Sequence, residues 1–309
     1  FPSHDRAPRS AYERNDLAFT QAAYNTEEHG LEGVVDRNEQ MHYRNHFDHE
    51  TTTALKTLHD VMLERELRTA AELFNTTRFV PGVAGQSQDA GTYRKDFTLG
   101  AAVPWSDSAN SDPITDIFVS QQKIFQKFGC YADCLTFNET TLRHLRLNEK
   151  IRQEWMALGA GQQAYQDRLA EFNYRFESTE NIRQTASAIA RVLDVDEIIV
   201  GASVLDANNS NDPNFQAVHV WGNNALLFKK IRGTGGGAMK EIGIGHTLQW
   251  TPDTNNNPQV ISTTHGMQHT EGFFVEDYYS AEVRSQIIRV RHQDRQLIKY
   301  NIGELITNV

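Results

Sequence analysis

His42, His46 and His49 stand beside Asp48 and Glu50, and imidazoles with carboxylates at that density can ligate a divalent cation. His42 and His46 are four residues apart, which turns two rings to one side of a helix. The plainer alternative is a set of solvated histidines leading into a helix, because no H-E-x-x-H run joins ligands to a general base. His265 and His269 repeat the spacing in a β-rich stretch. Cys130 and Cys134 are the only cysteines. Three residues separate them, so they form neither a C-x-x-C redox pair nor half of a paired zinc motif. They read as one thiol buried in a strand and one near a helix end. The run Gly233-Thr234-Gly235-Gly236-Gly237-Ala238-Met239-Lys240 has the look of a phosphate loop. A Walker loop, however, needs Gly-Lys-Ser/Thr and a following helix, and here Glu241-Ile242-Gly243 leads into a strand. Gly233, Gly235, Gly236 and Gly237 are better read as a hinge or turning connector between two domains. With no G-x-S-x-G and no carboxylates at acid/base spacing, the chain is expected to be no enzyme and to need neither cofactor nor metal.

The elements that would carry these residues begin with a long helix over 48–75. Leu55, Leu58, Met62, Leu67, Ala70, Ala71 and Phe74 recur at intervals of three and four and predict its apolar stripe. Asp48 or Thr51 can cap it. Arg65, Glu66 and Arg68 sit among the stripe residues and predict a partly solvated rod. Upstream, residues 1–30 hold little that could form a core. Arg6, Arg9, Arg14, Asp5, Glu13 and Asp16 alternate in sign, with Tyr12 among them, so this segment is expected to be an extended arm or hairpin held by another chain, or a floppy terminus.

Downstream, 76–112 reads as a long loop with short strands near 78–83 and 96–103. Asp112-Pro113 opens a helix with Ile114, Ile117, Phe118, Ile124, Phe125 and Phe128 on one predicted face, closed by Gly129. A strand at 134–137, a helix capped by Asn138, a helix ending near Leu193 and a strand at 197–201 complete an α/β unit. The span 159–180 reads as an insertion. From Gly243 onward the chain is almost wholly β, with partial alternation at Val283, Ile287, Val290 and Ile298.

The chain's 309 residues, 39% of them hydrophobic, suffice for a substantial core and for two domains or one large one. No run is long and apolar enough to cross a bilayer. The first residue is Phe1 rather than Met, as expected of a chain whose natural start has been removed. Two cysteines argue against a disulfide-built secreted scaffold. A net charge of −10 argues against a broad basic face that wraps nucleic acid.

Taken in order, these parts resemble a known family. The polar arm precedes a long helix ending in Leu73-Phe74-Asn75. Then come Asp112-Pro113-Ile114-Thr115-Asp116-Ile117, Leu193-Asp194-Val195-Asp196-Glu197-Ile198-Ile199-Val200-Gly201, Val220-Trp221-Gly222-Asn223-Asn224-Ala225-Leu226-Leu227 and Gly243-Ile244-Gly245-His246-Thr247-Leu248. From about residue 5 onward this order resembles the major capsid proteins of tailed bacteriophages. These have the α+β Hong Kong 97-type coat fold shared with encapsulins and herpesvirus capsid floors.

The resemblance implies an extended loop (E-loop) over 1–40 and a peripheral domain over 41–112 built on the spine helix 48–75. It further implies an axial domain over 113–240 and a β-rich return to the peripheral domain over 241–309. Arg6, Arg9, Tyr12, Glu13, Arg14 and Asp16 would then lie at subunit interfaces. The implied protein self-assembles as hexamers and pentamers into an icosahedral phage head around double-stranded DNA, which it meets by non-specific proximity. It would reside in the virion after assembly in the host bacterial cytoplasm, with decoration, scaffold and portal proteins as further partners and no membrane. An encapsulin-like compartment shell is the alternative within the fold. A metal-dependent enzyme built on His42, His46 and His49 is the alternative outside it.

Overall fold

The computed structural model describes residues 23–43, 45–81, 92–96, 103–157, 179–206, 214, 216–233, 241–250 and 273–309. The long helix is present as α2 (His49–Leu73), and the Asp48 side chain accepts hydrogen bonds from the backbone N–H groups of Glu50 and Thr51. Twenty-five residues make a rod of about 37 Å. Its buried stripe differs from the one the spacing suggests: Ala54, Thr57, Val61 and Ala70 are buried, whereas Leu55, Met62 and Leu67 are exposed. Small side chains win the inward face because a strand lies against it. A Cβ placed on Gly33 would come within 2.4 Å of Thr53 Cγ2 and 2.6 Å of Thr57 Oγ1.

That strand is β1 (Glu27–Asp36), followed directly by α1 (Arg37–Tyr43). Both elements fall where the sequence suggested an arm or hairpin and then a polar lead-in. β1 pairs antiparallel with β11 (Ser285–Ile298), and along its other edge β11 pairs first with β10 (Phe274–Ser280) and then with β9 (Gly245–Gln249). α2 lies across β1 and β11. Two small apolar clusters join these layers, one of Val35, Ala54 and Ile288 and one of Val61, Phe273 and Val290.

A second, six-stranded sheet runs β2 (Phe79–Pro81), β3 (Thr92–Asp96), β12 (Gly303–Thr307), β8 (Asn224–Phe228), β4 (Cys134–Asn138), β5 (Glu197–Gly201). It draws on three stretches that lie far apart in sequence. β12, the last strand of the β-rich C-terminal stretch, enters the middle of this sheet. β6 (Val204–Asp206) and β7 (Ala217–His219) form a separate pair.

α3 (Pro113–Phe128) is capped by Asp112, begins on Pro113 and ends on Gly129 at φ 68°, the left-handed conformation that glycine adopts without a Cβ penalty. α4 (Glu139–Leu147), α5 (Glu149–Ala157) and α6 (Thr179–Val192) follow. With β4 and β5, which are parallel, they enclose the largest apolar core, which includes Trp105, Ile117, Ile124, Phe137, Leu142, Ile189 and Leu227. The single predicted apolar face of α3 divides in two. Ile117, Ser120, Gln121 and Ile124 turn inward, while Phe118 and Phe125 are exposed and Phe125 stacks on Tyr131 at 4.6 Å. Buried Gln121 is satisfied because its amide bonds both the C=O and the N–H of Ala132.

Candidate functional site

β11 alternates, and the alternation carries charge. Ile288, Val290, His292 and Asp294 are buried, while Arg289, Arg291 and Arg295 take the intervening positions. Arg65 and Arg68, one turn apart on α2, descend onto Asp294. Arg65 Nε lies 2.9 Å from Oδ2 and Arg68 Nη1 lies 2.9 Å from Oδ1. The Asp294 side chain is wholly buried and each guanidinium is about a quarter exposed or less, so the contact is a charge-assisted fork with little solvent screening. Burial alone would push the Asp294 carboxyl up. Polar contacts with His292 and Arg68, and the guanidinium charge, outweigh burial and hold it well below the ordinary carboxylate range.

Phe273 packs on His292 with ring centroids 4.8 Å apart, and Arg65 lies over the Phe273 ring. His29 stacks on His292 from β1. Arg65 and Arg68 are therefore docking groups rather than the solvated residues their sequence position suggested. The alternation R-V-R-H-Q-D-R over 289–295 was the available signal, and it lay hidden because the buried positions end in polar residues.

The intervening residues of β11 build a ladder with its neighbours. Arg289 bonds Glu32 and the Tyr278 hydroxyl, Arg291 bonds Glu276 and Glu28, and Arg295 bonds Glu27. Hydrogen bonds from Arg289 and Tyr278 lower the pKa of Glu32.

Asp133 forms a second charged node, below β4. It accepts hydrogen bonds from Lys229 Nζ at 2.9 Å, from the Lys230 backbone N–H at 2.8 Å and from Arg232 Nε at 3.4 Å. Burial raises its pKa, but the net shift is downward because these donors and cations prevail. A cleft of about 510 Å³ opens beside it, lined by Ile114, Phe118, Tyr131, Leu193, Asp194 and Asp196 among others.

The residues singled out from sequence fare differently. Arg6, Arg9, Tyr12, Glu13, Arg14 and Asp16 lie outside the described residues, as do Gly235, Gly236 and Gly237. Gly233 is described. Its N–H and that of Arg232 donate to the Glu241 carboxylate, at 2.6 Å for Gly233, which staples the start of the glycine-rich run to the residue just past its end. His42 lies in α1, His46 in a turn and His49 at the start of α2. The rings of His42 and His49 pack against Tyr43, and that of His49 also against Phe47. Among the described residues no three His, Cys, Asp or Glu side chains form a group that could hold a metal ion. Cys134 is buried, and burial pushes its thiol up to about 12, away from the nucleophilic thiolate. No helix among the described residues is long and apolar enough to cross a membrane.

With this geometry in hand, comparison with known proteins is informative at the level of structure. No protein-family model matches the sequence and no curated protein matches it. Among solved structures, a phage-related protein from Bordetella bronchiseptica RB50 superposes with a TM-score of 0.60 at 19% identity, over 96% of this chain and 80% of that one. The two chains share a fold. The match extends across both sheets and the spine helix, since nearly the whole of this chain takes part. The mature capsid of bacteriophage PhiM1 (TM-score 0.47, 12% identity, 99% of this chain and 78% of that one) and the SrpI encapsulin of Synechococcus elongatus PCC 7942 (0.42, 10%, 93% and 75%) are also similar. At those scores the likeness decides nothing between them.

Proposed function

We propose that this chain is a structural shell subunit of the Hong Kong 97 type, which assembles as hexamers and pentamers into an icosahedral phage head around double-stranded DNA and catalyses nothing. The observation that carries this reading is the fold shared with the phage-related Bordetella protein over 96% of the chain. The organisation is consistent with it: a long helix on a sheet forms one unit, an α/β unit stands beside it, and the C-terminal strand β12 ties the second sheet together. Exposed Phe118, Phe125 and Tyr131, together with Leu55 and Met62 on the outer side of α2, are apolar surface of the kind that repeated subunit contacts cover. The extended loop, the axial tip and the interface roles of Arg6, Arg9, Tyr12, Glu13, Arg14 and Asp16 belong to this proposal. So do residence in the virion, a hinge at Gly233–Gly237, and scaffold, portal or decoration partners.

Negative-stain electron microscopy of the purified protein, with size-exclusion chromatography alongside, tests it. Closed shells, or rings of five and six subunits, are expected. Shells that enclose nucleic acid after expression with the packaging genes would support a phage head, and shells that enclose a folded protein cargo would point to a compartment instead. A chain that stays monomeric with and without co-expressed neighbouring genes would overturn the reading.

A further inference from the structure

The cleft of about 510 Å³ beside Asp133 has two kinds of wall. On one side the rings of Phe118 and Tyr131 are 60% and 57% exposed. The outward positions of α3 around them, Thr115, Val119, Gln122 and Gln126, hold no charge. On the other side the turn from α6 into β5 brings the exposed carboxylates of Asp194 and Asp196 to the rim. Asp196 already holds one guanidinium, since Arg232 Nη2 donates to its Oδ2 at 3.2 Å. Asp194 has no hydrogen-bond or ion-pair partner among the described residues. Flat aromatic faces next to a carboxylate suit an arginine, whose guanidinium stacks on a ring while its N–H groups fork onto the oxygens. An acidic segment would be repelled there, and a wholly apolar one would desolvate the carboxylates without pairing them.

The chain carries a segment of that chemistry outside the described residues. Arg6-Ala7-Pro8-Arg9-Ser10-Ala11-Tyr12 holds two arginines, an aromatic ring and no carboxylate. Ten residues join Tyr12 to Ala23, where the described chain starts, and an extended chain of that length spans about 35 Å. Ala23 leads into β1 on the spine side. The spine and the cleft lie on opposite faces of the six-stranded sheet: Leu226, Phe228 and Leu305 pack with Leu73 and Phe74 at the end of the spine, whereas Ala225, Leu227 and Ile306 share a core with α3 and α6. To reach its own cleft the arm would have to turn around the sheet, which a neighbouring copy's cleft does not require. We propose that Arg6–Tyr12 of one copy docks in the cleft between α3 and the α6–β5 turn of a second copy, with one arginine on Asp194 and the other along the wall of Phe118 and Tyr131. This rests on the shell reading above, which gives the arm an interface without naming the surface that receives it.

Photo-crosslinking of the assembled full chain tests the docking. Ser10→p-benzoylphenylalanine places a reactive group in the arm and leaves both arginines and Tyr12 in place. After irradiation, denaturing gels separate dimer from monomer, and mass spectrometry locates the joined peptides. A dimer linked through α3, Tyr131 or the α6–β5 turn is expected. Asp194→Asn, which suits the φ of 54° at that position, should lower the dimer yield about threefold. Arg6→Gln with Arg9→Gln should lower it about tenfold, and about 0.5 M salt should bring the original chain towards the variants. Shells whose arm gives no dimer, a dimer joined elsewhere, or a yield indifferent to Asp194→Asn overturn the docking and leave the shell reading standing. Failure to form shells or rings under every condition overturns the shell reading, and the docking with it.

Discussion

The α/β unit and the spine contact are both buried, yet different forces hold them. Around β4 the interior is apolar, with Phe137, Leu135, Ile117 and Ile124 fully buried. Where α2 meets β11 the apolar clusters are small, and past them lies an ionic fork whose acceptor, Asp294, is fully buried. An apolar core depends on volume and tolerates any side chain that fills the space. An ionic fork depends on charge and direction, so it fixes the register of a helix on a strand but adds little net stability over an apolar substitute. The molecule thus has one unit set by packing and one contact set by alignment.

The largest effect is expected where volume rules. Phe137→Ala removes a fully buried ring beneath α4, and it should lower unfolding free energy by about 3–5 kcal/mol in a denaturant titration. Asp294→Ala should come next, at roughly 3 kcal/mol, because it strands two partly buried guanidiniums. The comparison sharpens with the triple replacement Asp294→Leu, Arg65→Met, Arg68→Met, which is expected to recover most of that loss. If the triple variant is no more stable than Asp294→Ala, the fork is a net stabiliser and the distinction drawn above is wrong.

The same carboxylate gives a pH signature. Its depressed pKa means that its contribution is fully present above the ordinary aspartate value near 4 and is lost as pH falls below it. Acid titration of Asp294→Asn should therefore lack the part of the decline that wild type shows below about pH 4. Gly33→Ala should cost about 1–3 kcal/mol, since its Cβ would collide with Thr53 and Thr57 and lift the helix from the strand. Smallest of all is Arg289→Ala on the exposed ladder. Its denaturation midpoint should match wild type within scatter, and any difference should vanish in about 1 M salt.

Local signals in the sequence were reliable wherever the chain had to satisfy its own backbone. Asp48, Asp112 and Asn138 cap helices as their residue types demand, and Gly129 ends α3 in the conformation only glycine takes freely. The strands at 134–138 and 197–201 were visible as short apolar runs. Less legible was the side each helix buries. Intervals of three and four on α2 fitted the stripe through Leu55, Met62 and Leu67, but the strand it rests on chose Ala54, Thr57 and Val61. The arginines of α2 gave no sign of their partner, since Asp294 lies more than two hundred residues away along the chain. β1 was missed because Gly30, Gly33 and its glutamates do not look like a strand until β11 supplies the matching arginines.

The sequence by itself determined the caps, the breaks, the existence of the long helix and the alternation of helix and strand between 113 and 201. These are set by interactions within a few residues, where backbone sterics and capping hydrogen bonds decide. Tertiary structure alone decided which faces are buried, that β12 crosses into the second sheet between β3 and β8, and that Arg65, Arg68, His292 and Asp294 meet. Those outcomes depend on desolvation and charge pairing between segments that touch only after folding, and no local pattern encodes the partner.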